Sequence, residues 1–201
     1  MIISVIDTET TGLSQEKGAR IIEIGIVRYD LLSASKLDAW VQRIDPQCPI
    51  EAGAQEVHGI SYEELVGQPF WEDLAVEISN RLESCDLLVA HNMGFDGPFI
   101  AAELMRVGVE VPKIQSFCTM ENARWACPDG KLPKLEELCF ALNVPYDAAK
   151  AHSALYDIER TAECFFAGYK RGFYILPELL TSELREMTGF KNCHDVPLLA
   201  E

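Results

Sequence analysis

Residues 1–13 read MIISVIDTETTGL, and residues 20–29 read RIIEIGIVRY. The first stretch is an apolar run, Ile2–Ile6, that meets carboxylates at Asp7 and Glu9. The second is rich in β-branched residues. Both read as buried strands, because branched side chains pack well on a pleated surface. Strand side chains alternate faces with a period of two, so Asp7 and Glu9 point the same way. Two acids crowded on one face repel each other unless a cation lies between them. Hard oxygen donors suit Mg²⁺ or Mn²⁺ rather than zinc. The plainer reading is that strand-end acids simply meet solvent.

Outward from this pair, 37–44 predicts a third, weaker strand, and the short connections favour an antiparallel meander. A loop is expected over 45–56. Ser61-x-x-Glu64 is a capping-box pattern opening a short helix. Phe70, Leu74, Ile78 and Leu82 recur every four residues and predict a helix face turned toward a core. DLLVAH, 86–91, predicts a short buried strand. A helix is expected over 99–107 with Pro98 in its first turn, and a fifth strand over 116–119. Pro128-Asp129-Gly130 marks a turn. Leu135, Leu138 and Leu142 mark another helix, and 154–169 a strong final one. Three early strands followed by strand–helix alternation predict a mixed α/β sheet with helices on both faces. Residues 1–172 read as one domain. Residues 173–201 read as an extension, with an amphipathic helix over 177–187, that packs on the domain or meets a protein partner.

Composition narrows the class. The chain has 201 residues, 48% hydrophobic and 24% charged, which fits a globular protein with a sizeable core. Its apolar runs fall far short of the ~20 residues that cross a bilayer. No secretory leader is visible, and the seven cysteines show no zinc-like spacing. Free thiols and a cytoplasmic location are the expectation. With 17 basic and 32 acidic residues the net charge is −15. A protein that grips nucleic acid mainly by neutralising phosphates should be basic. The acidity is local. Residues 51–110 hold 12 acids against Arg81 and Arg106, a net of −10, whereas residues 111–172 are neutral, with 8 acids and 8 bases.

Two further pieces carry candidate chemistry. Asp96, in AHNMGFD, lies just past the 86–91 strand and before a helix, where α/β sheets place functional groups and where Asp also serves as an N-cap. His152 and Asp157 stand five apart in HSALYD. On one helix that spacing points them ~140° apart. They converge only if Ser153 is the N-cap, leaving His152 outside the helix and Asp157 on its first turn. A neutral imidazole, with its ordinary pKa of ~6.5, is free to accept a proton.

Taken together, VIDTETTGL, RIIEIG, VHGIS, AHNMGFD and HSALYD resemble, in order and spacing, the DnaQ-like exonucleases of the DEDDh branch, over about residues 1–172. The resemblance implies a ribonuclease-H-like fold with a five-stranded sheet, three strands antiparallel and the later ones parallel. It implies metal-dependent removal of nucleoside 5′-monophosphates from the 3′ ends of single-stranded or frayed DNA, with proofreading or repair as the setting. Asp7, Glu9, Asp96 and Asp157 would hold two divalent ions, Mg²⁺ or Mn²⁺, and His152 would be the general base. Thr10, Leu13, His58, His91, Asn92 and Phe95 would contact the terminal nucleotide, core packing being the plainer reading for Leu13 and Phe95. Lys113, Arg124, Lys131, Lys134 and Lys150 are the candidates for meeting phosphates. The chain departs from the family at Cys118, where members often carry an acid, and no clamp-binding peptide is evident after Gly172. RNA as substrate, a non-catalytic nucleic-acid-binding subunit and an unrelated metal phosphatase are the competing readings.

Overall fold

In the computed structural model, residues 1–177 are described. The predicted helix over 177–187 and most of the proposed extension lie outside them. One five-stranded sheet has the order β3-β2-β1-β4-β5. β1 (Ile2–Thr10), β2 (Ile21–Asp30) and β3 (Lys36–Arg43) form the antiparallel meander, and β4 (Leu87–Ala90) and β5 (Ser116–Cys118) add parallel to β1's far side. The expected ribonuclease-H-like architecture is therefore present.

The period-two reading of β1 sorts the whole molecule. Ile3 and Val5 join Val27, Tyr29 and Val89 beneath α4 (Leu135–Leu142) and α5 (Ala154–Lys170), whose Leu138, Leu142, Ile158, Phe165 and Tyr169 close that core. Ile6, Ile24 and Ile26 face the opposite side, under α2 (Trp71–Glu83) and α3 (Met93–Arg106), with Trp71, Ile78, Phe99 and Leu104. At ~25 cal/mol per Å² of apolar surface removed from water, these two layers supply the main driving force of folding. Asp7 and Glu9 continue the Ile3–Val5 face, so they emerge on the α5 side.

Gly25 is what lets α5 come close. It pairs with Asp7 across the β1–β2 ladder. A side chain there would collide with the Ile158 side chain, with the Ala154 Cβ only 3.5 Å away. The glycine of RIIEIG thus seats the first turns of α5 directly beside Asp7.

Four details differ from the sequence reading. The segment expected to be loop over 45–56 contains the start of α1 (Ala52–His58), which ends on Gly59 in the left-handed region at φ 72°. Gly53 and the preceding prolines disguise it. α3 begins at Met93, six residues earlier than expected, so Pro98 lies inside the helix rather than in its first turn. Its start is set by Asn92 at φ 94°, a conformation Asn tolerates better than most residues. The buried stripe of α2 is Trp71, Ala75, Ile78 and Leu82; Phe70 precedes the helix and Leu74 is only half-buried. A strict spacing of four drifts around a helix that turns 100° per residue, whereas alternating steps of four and three stay on one face. The last difference is at the capping box. Ser61 N–H does donate to Glu64 at 2.8 Å, but only a single 3₁₀ turn, Tyr62–Glu64, follows.

Candidate active site

The cavity at the carboxyl end of β1 has a volume of about 570 Å³. Asp7, Glu9, Thr10, Leu13, His58, His91, Asn92, Phe95, His152 and Asp157 all line it. Asp96, the remaining predicted residue, is only 3% exposed and sits behind the wall. Thr8 points to the α3 side of β1, as its even position requires, and its hydroxyl donates to Asp96 Oδ1 at 2.7 Å. That bond ties the first turn of α3 to the strand that carries Asp7 and Glu9.

The helix-cap reading of HSALYD holds in the structure. Ser153 is the N-cap of α5, Asp157 lies on the first turn and His152 is outside. Asp157 Oδ2 accepts the His152 backbone N–H at 2.9 Å. His152 takes φ 62°, in the left-handed region. Ligand atoms of Glu9, His152 and Asp157 lie within 4.8 Å of one another.

The electrostatics follow from this crowding. Burial, then the charges of Asp96, Glu9 and Asp157, hold Asp7 well above the usual carboxylate range. Burial and the Asp157 and Glu23 charges push Glu9 to about 8. Burial lifts Asp96 to about 7 against the lowering effect of the Thr8 hydrogen bonds. Asp157 is raised by burial too, and its Oδ1 is buried with no hydrogen-bond partner. Among the described residues, no Lys or Arg lines the cavity to balance these charges. Mutually repelling hard oxygens, one of them orphaned, beside an imidazole are a donor set that fits divalent cations.

The binding candidates separate into three kinds. His91 is structural as well as cavity-lining. Its Nε2–H donates to Pro133 O at 3.2 Å, its Nδ1 lies 3.0 Å from the Thr119 hydroxyl, and burial lowers its pKa to about 4. It is neutral, with both nitrogens occupied, and it pins the Lys131–Lys134 loop to the cavity wall. Thr10 donates to Gly12 O at 2.7 Å and so shapes the turn after β1. His58 Nδ1 accepts from Ile60 N–H at 3.0 Å, and burial lowers its pKa. Phe95 packs on Phe99, ring centroids 4.9 Å apart. Leu13 is 83% exposed, so core packing does not explain it. Asn92 caps α3.

The sequence reading missed Glu51, Val57 and Glu23. Glu51 N–H donates to Thr11 O at 2.8 Å, and its carboxylate occupies the space that any side chain at Gly12 would need. The first two line the cavity and went unnoticed because the start of α1 read as loop. Glu23 lies directly across from Glu9 in the ladder, with its carboxylate 3.1 Å from Arg43 Nε. The same period-two rule that singled out Asp7 and Glu9 would have found it, since Glu23 shares Gly25's face.

Comparison with known proteins places the chain in a family. The family described as Exonuclease (RNase_T) matches residues 4–165. The chain is 34% identical over 163 residues to the DNA polymerase III subunit epsilon of Buchnera aphidicola subsp. Acyrthosiphon pisum (strain APS), covering 76% of this chain and 66% of that protein. It spans about two thirds of the length of the epsilon subunits it matches. Among solved structures, exonuclease X in complex with 5′ overhanging duplex DNA superposes with a TM-score of 0.61 at 22% identity, over 98% of both chains. The nuclease domain of 3′hExo, a DEDDh family member bound to rAMP, superposes at 0.71 with 16% identity, over 88% of this chain and 96% of that one. At these identities the two structures speak to the fold.

Proposed function

The chain belongs to the RNase_T exonuclease family, and from that premise we propose that it is a 3′→5′ exonuclease shortening single-stranded or frayed DNA with release of nucleoside 5′-monophosphates. The observation that supports this reading best is the convergence of Glu9, Asp157 and His152 within 4.8 Å, beside Asp7 and the Thr8-anchored Asp96. Asp7, Glu9, Asp96 and Asp157 would hold two divalent ions, Mg²⁺ or Mn²⁺. When bound, such ions supply Lewis acidity that activates the attacking water and steadies charge on the leaving 3′ oxygen. His152 accepts the water's proton on its imidazole, a step worth ~10²–10⁴ in rate. Asp157 holds the main chain of that histidine. Leu13, His58 and Phe95 offer apolar and ring surface to the terminal nucleotide, with Thr10, His91 and Asn92 shaping the wall around it.

Lys131 and Lys134 flank the Pro133 carbonyl bound by His91, and Lys150 stands two residues before His152. All three are exposed. They offer cations near the cavity for the phosphates upstream of the scissile bond. With the remaining surface so acidic, electrostatic grip is weak. Short or frayed substrates, or a partner that supplies processivity, follow from that. The named relatives are polymerase III subunits, which makes a replicative polymerase the partner to try first. Among the described residues, no helix is long and apolar enough to cross a membrane.

A time course on 3′-labelled and 5′-labelled oligonucleotides, with and without chelator, tests the reading. The 3′ label should leave first as mononucleotide and the 5′ label should report a descending ladder, both stopping in chelator. Internal cuts, or release of inorganic phosphate without shortening, would overturn it. Matched DNA and RNA oligomers in the same assay decide the sugar preference.

A further inference from the structure

The loop that carries His152 runs from the end of α4 to Ser153, and three side chains from the first turns of α5 hold it. At its far end, Asp157 Oδ2 accepts the His152 N–H at 2.9 Å. At its near end, Arg160 Nη1 donates to Pro145 O at 2.9 Å, across 15 residues of chain. Between these, the Asp147 N–H donates to the Tyr156 hydroxyl. The Arg160 guanidinium lies over the Tyr156 ring, 5.1 Å from its centroid, and its Nη2 meets Glu163 at 2.8 Å. Tyr146 packs against Tyr156, with centroids 5.8 Å apart. Arg160 is only 15% exposed.

A surface ion pair with Glu163 would explain one nitrogen of Arg160. It would not explain a half-stacked guanidinium committed to a main-chain carbonyl. The planar fork of Arg can satisfy a carbonyl, a carboxylate and a ring face at once, which the ammonium of Lys cannot. The loop itself is otherwise weakly held. Residues 148–150 are exposed, and their one capping bond is Ala149 N–H to Asp147 Oδ1 at 3.1 Å. Without the clamp, the hydrogen bonds left from α5 to the loop among the described residues are those of Asp157 to His152 and Ser153. With it, both ends of the loop are referenced to the same rigid helix that delivers Asp157.

We propose that Arg160 and Tyr156 are positioning residues for His152, fixing the loop that sets its imidazole against Glu9 and Asp157. The proposal rests on the reading of His152 as proton acceptor. A shift of about 1 Å in a reacting group can cost on the order of 10²-fold in rate. Arg160→Met should therefore lower kcat by about tenfold or more, with KM within about twofold, and Tyr156→Phe by about threefold. Arg160→Lys should recover part of the loss. His152→Ala/Arg160→Met should be no slower than His152→Ala alone, since a residue acting through another has nothing left to act on. Hydrogen exchange on the chelated, substrate-free protein should quicken over 144–153 in Arg160→Met, and stay unchanged in β1 and at the start of α3. Wild-type kcat in Arg160→Met, or losses that multiply in the double variant, overturns the proposal. If His152→Ala keeps the wild-type rate, the reading of His152 itself has failed. If His152→Ala is slow and Arg160→Met is not, only the clamp has. Should Arg160→Met not fold by circular dichroism, Tyr156→Phe decides, because it removes a single oxygen and leaves the ring.

Discussion

The two halves of the cavity are built in opposite ways. The acids stand on regular, packed elements, Asp7 and Glu9 on β1 and Asp96 and Asp157 on the first turns of α3 and α5. β1 is paired on both sides, Asp7 faces Gly25 across the ladder, and Asp96 is tied by Thr8 from the first turn of α3. The imidazole stands on an exposed turn at φ 62°. Groups that repel one another can be kept together only by a scaffold that will not yield, and the core beneath Ile3 and Val5 supplies it. The histidine has no such repulsion to overcome, and hydrogen bonds to one helix suffice to aim it. The repelling charges sit on a strand and on the first turns of two helices packed against it, and the imidazole sits on a turn outside them.

The sharpest way to break this contrast is to remove one group from each half. Asp7→Ala deletes the carboxylate that shares its surroundings with Asp96, Glu9 and Asp157. It should reduce oligonucleotide shortening by on the order of 10³-fold or more, because several kcal/mol of transition-state charge stabilisation go with the cations it helps hold. Mn²⁺ binding by calorimetry should weaken in parallel. Substantial residual activity in Asp7→Ala would mean that the acids are not the working half. His152→Ala should cost less, about 10²-fold, with Mn²⁺ binding retained. Because His152 lies within the same 4.8 Å cluster as Glu9 and Asp157, loss of Mn²⁺ binding in this variant would instead make it a ligand and erase the division of labour.

The acid half was far more legible in the sequence than the loop half. Period-two alternation on β1 and a strand-then-acid pattern are local rules, and they placed Asp7 and Glu9 without any knowledge of the fold. The reading of Ser153 as N-cap placed Asp157 and His152 correctly, because capping too is local. What stayed hidden depended on contacts distant in sequence. Thr8 matters through a hydrogen bond to Asp96, 88 residues away. Arg160 and Tyr156 matter through the backbone of a loop whose path only α4 and α5 together define. Glu51 and Val57 were lost for a different reason. Gly53 lowers helix propensity, so α1 read as loop and its inward face went unexamined.

The smallest effect in magnitude tests the electrostatic premise of the acid half alone, without substrate or turnover. In the chelated protein, burial and its acidic neighbours hold Glu9 at about 8, against 4.5 in the unfolded chain. Between those values the folded protein binds more protons than the unfolded one at this site. Its contribution is fully present below the unfolded pKa and is lost as pH rises toward 8. His58 and His91 act with the opposite sign, since burial lowers both in the fold. Their effect is half complete at the unfolded histidine pKa of ~6.5 and runs out about one unit above it. Glu64, drawn down to about 2 by the Ser61 backbone and Arg43, changes stability only at lower pH still. Across pH 6.5 to 8.5 the cavity acids dominate, and above about pH 7.5 they act without the histidines. A slope of up to ~1.4 kcal/mol per pH unit for one such group, over little more than one unit, predicts a loss of about 2 kcal/mol. That corresponds to a fall in Tm of roughly 4–8 °C for a chain of this size. Glu9→Gln should flatten the curve and melt higher than wild type at pH 8.5 in chelator, while Mn²⁺ should restore the wild-type protein and do less for the variant. A Tm in chelator that is flat across this window, and the same in Glu9→Gln, would mean that the carboxylates are not under the mutual strain from which the case for a cation site was built.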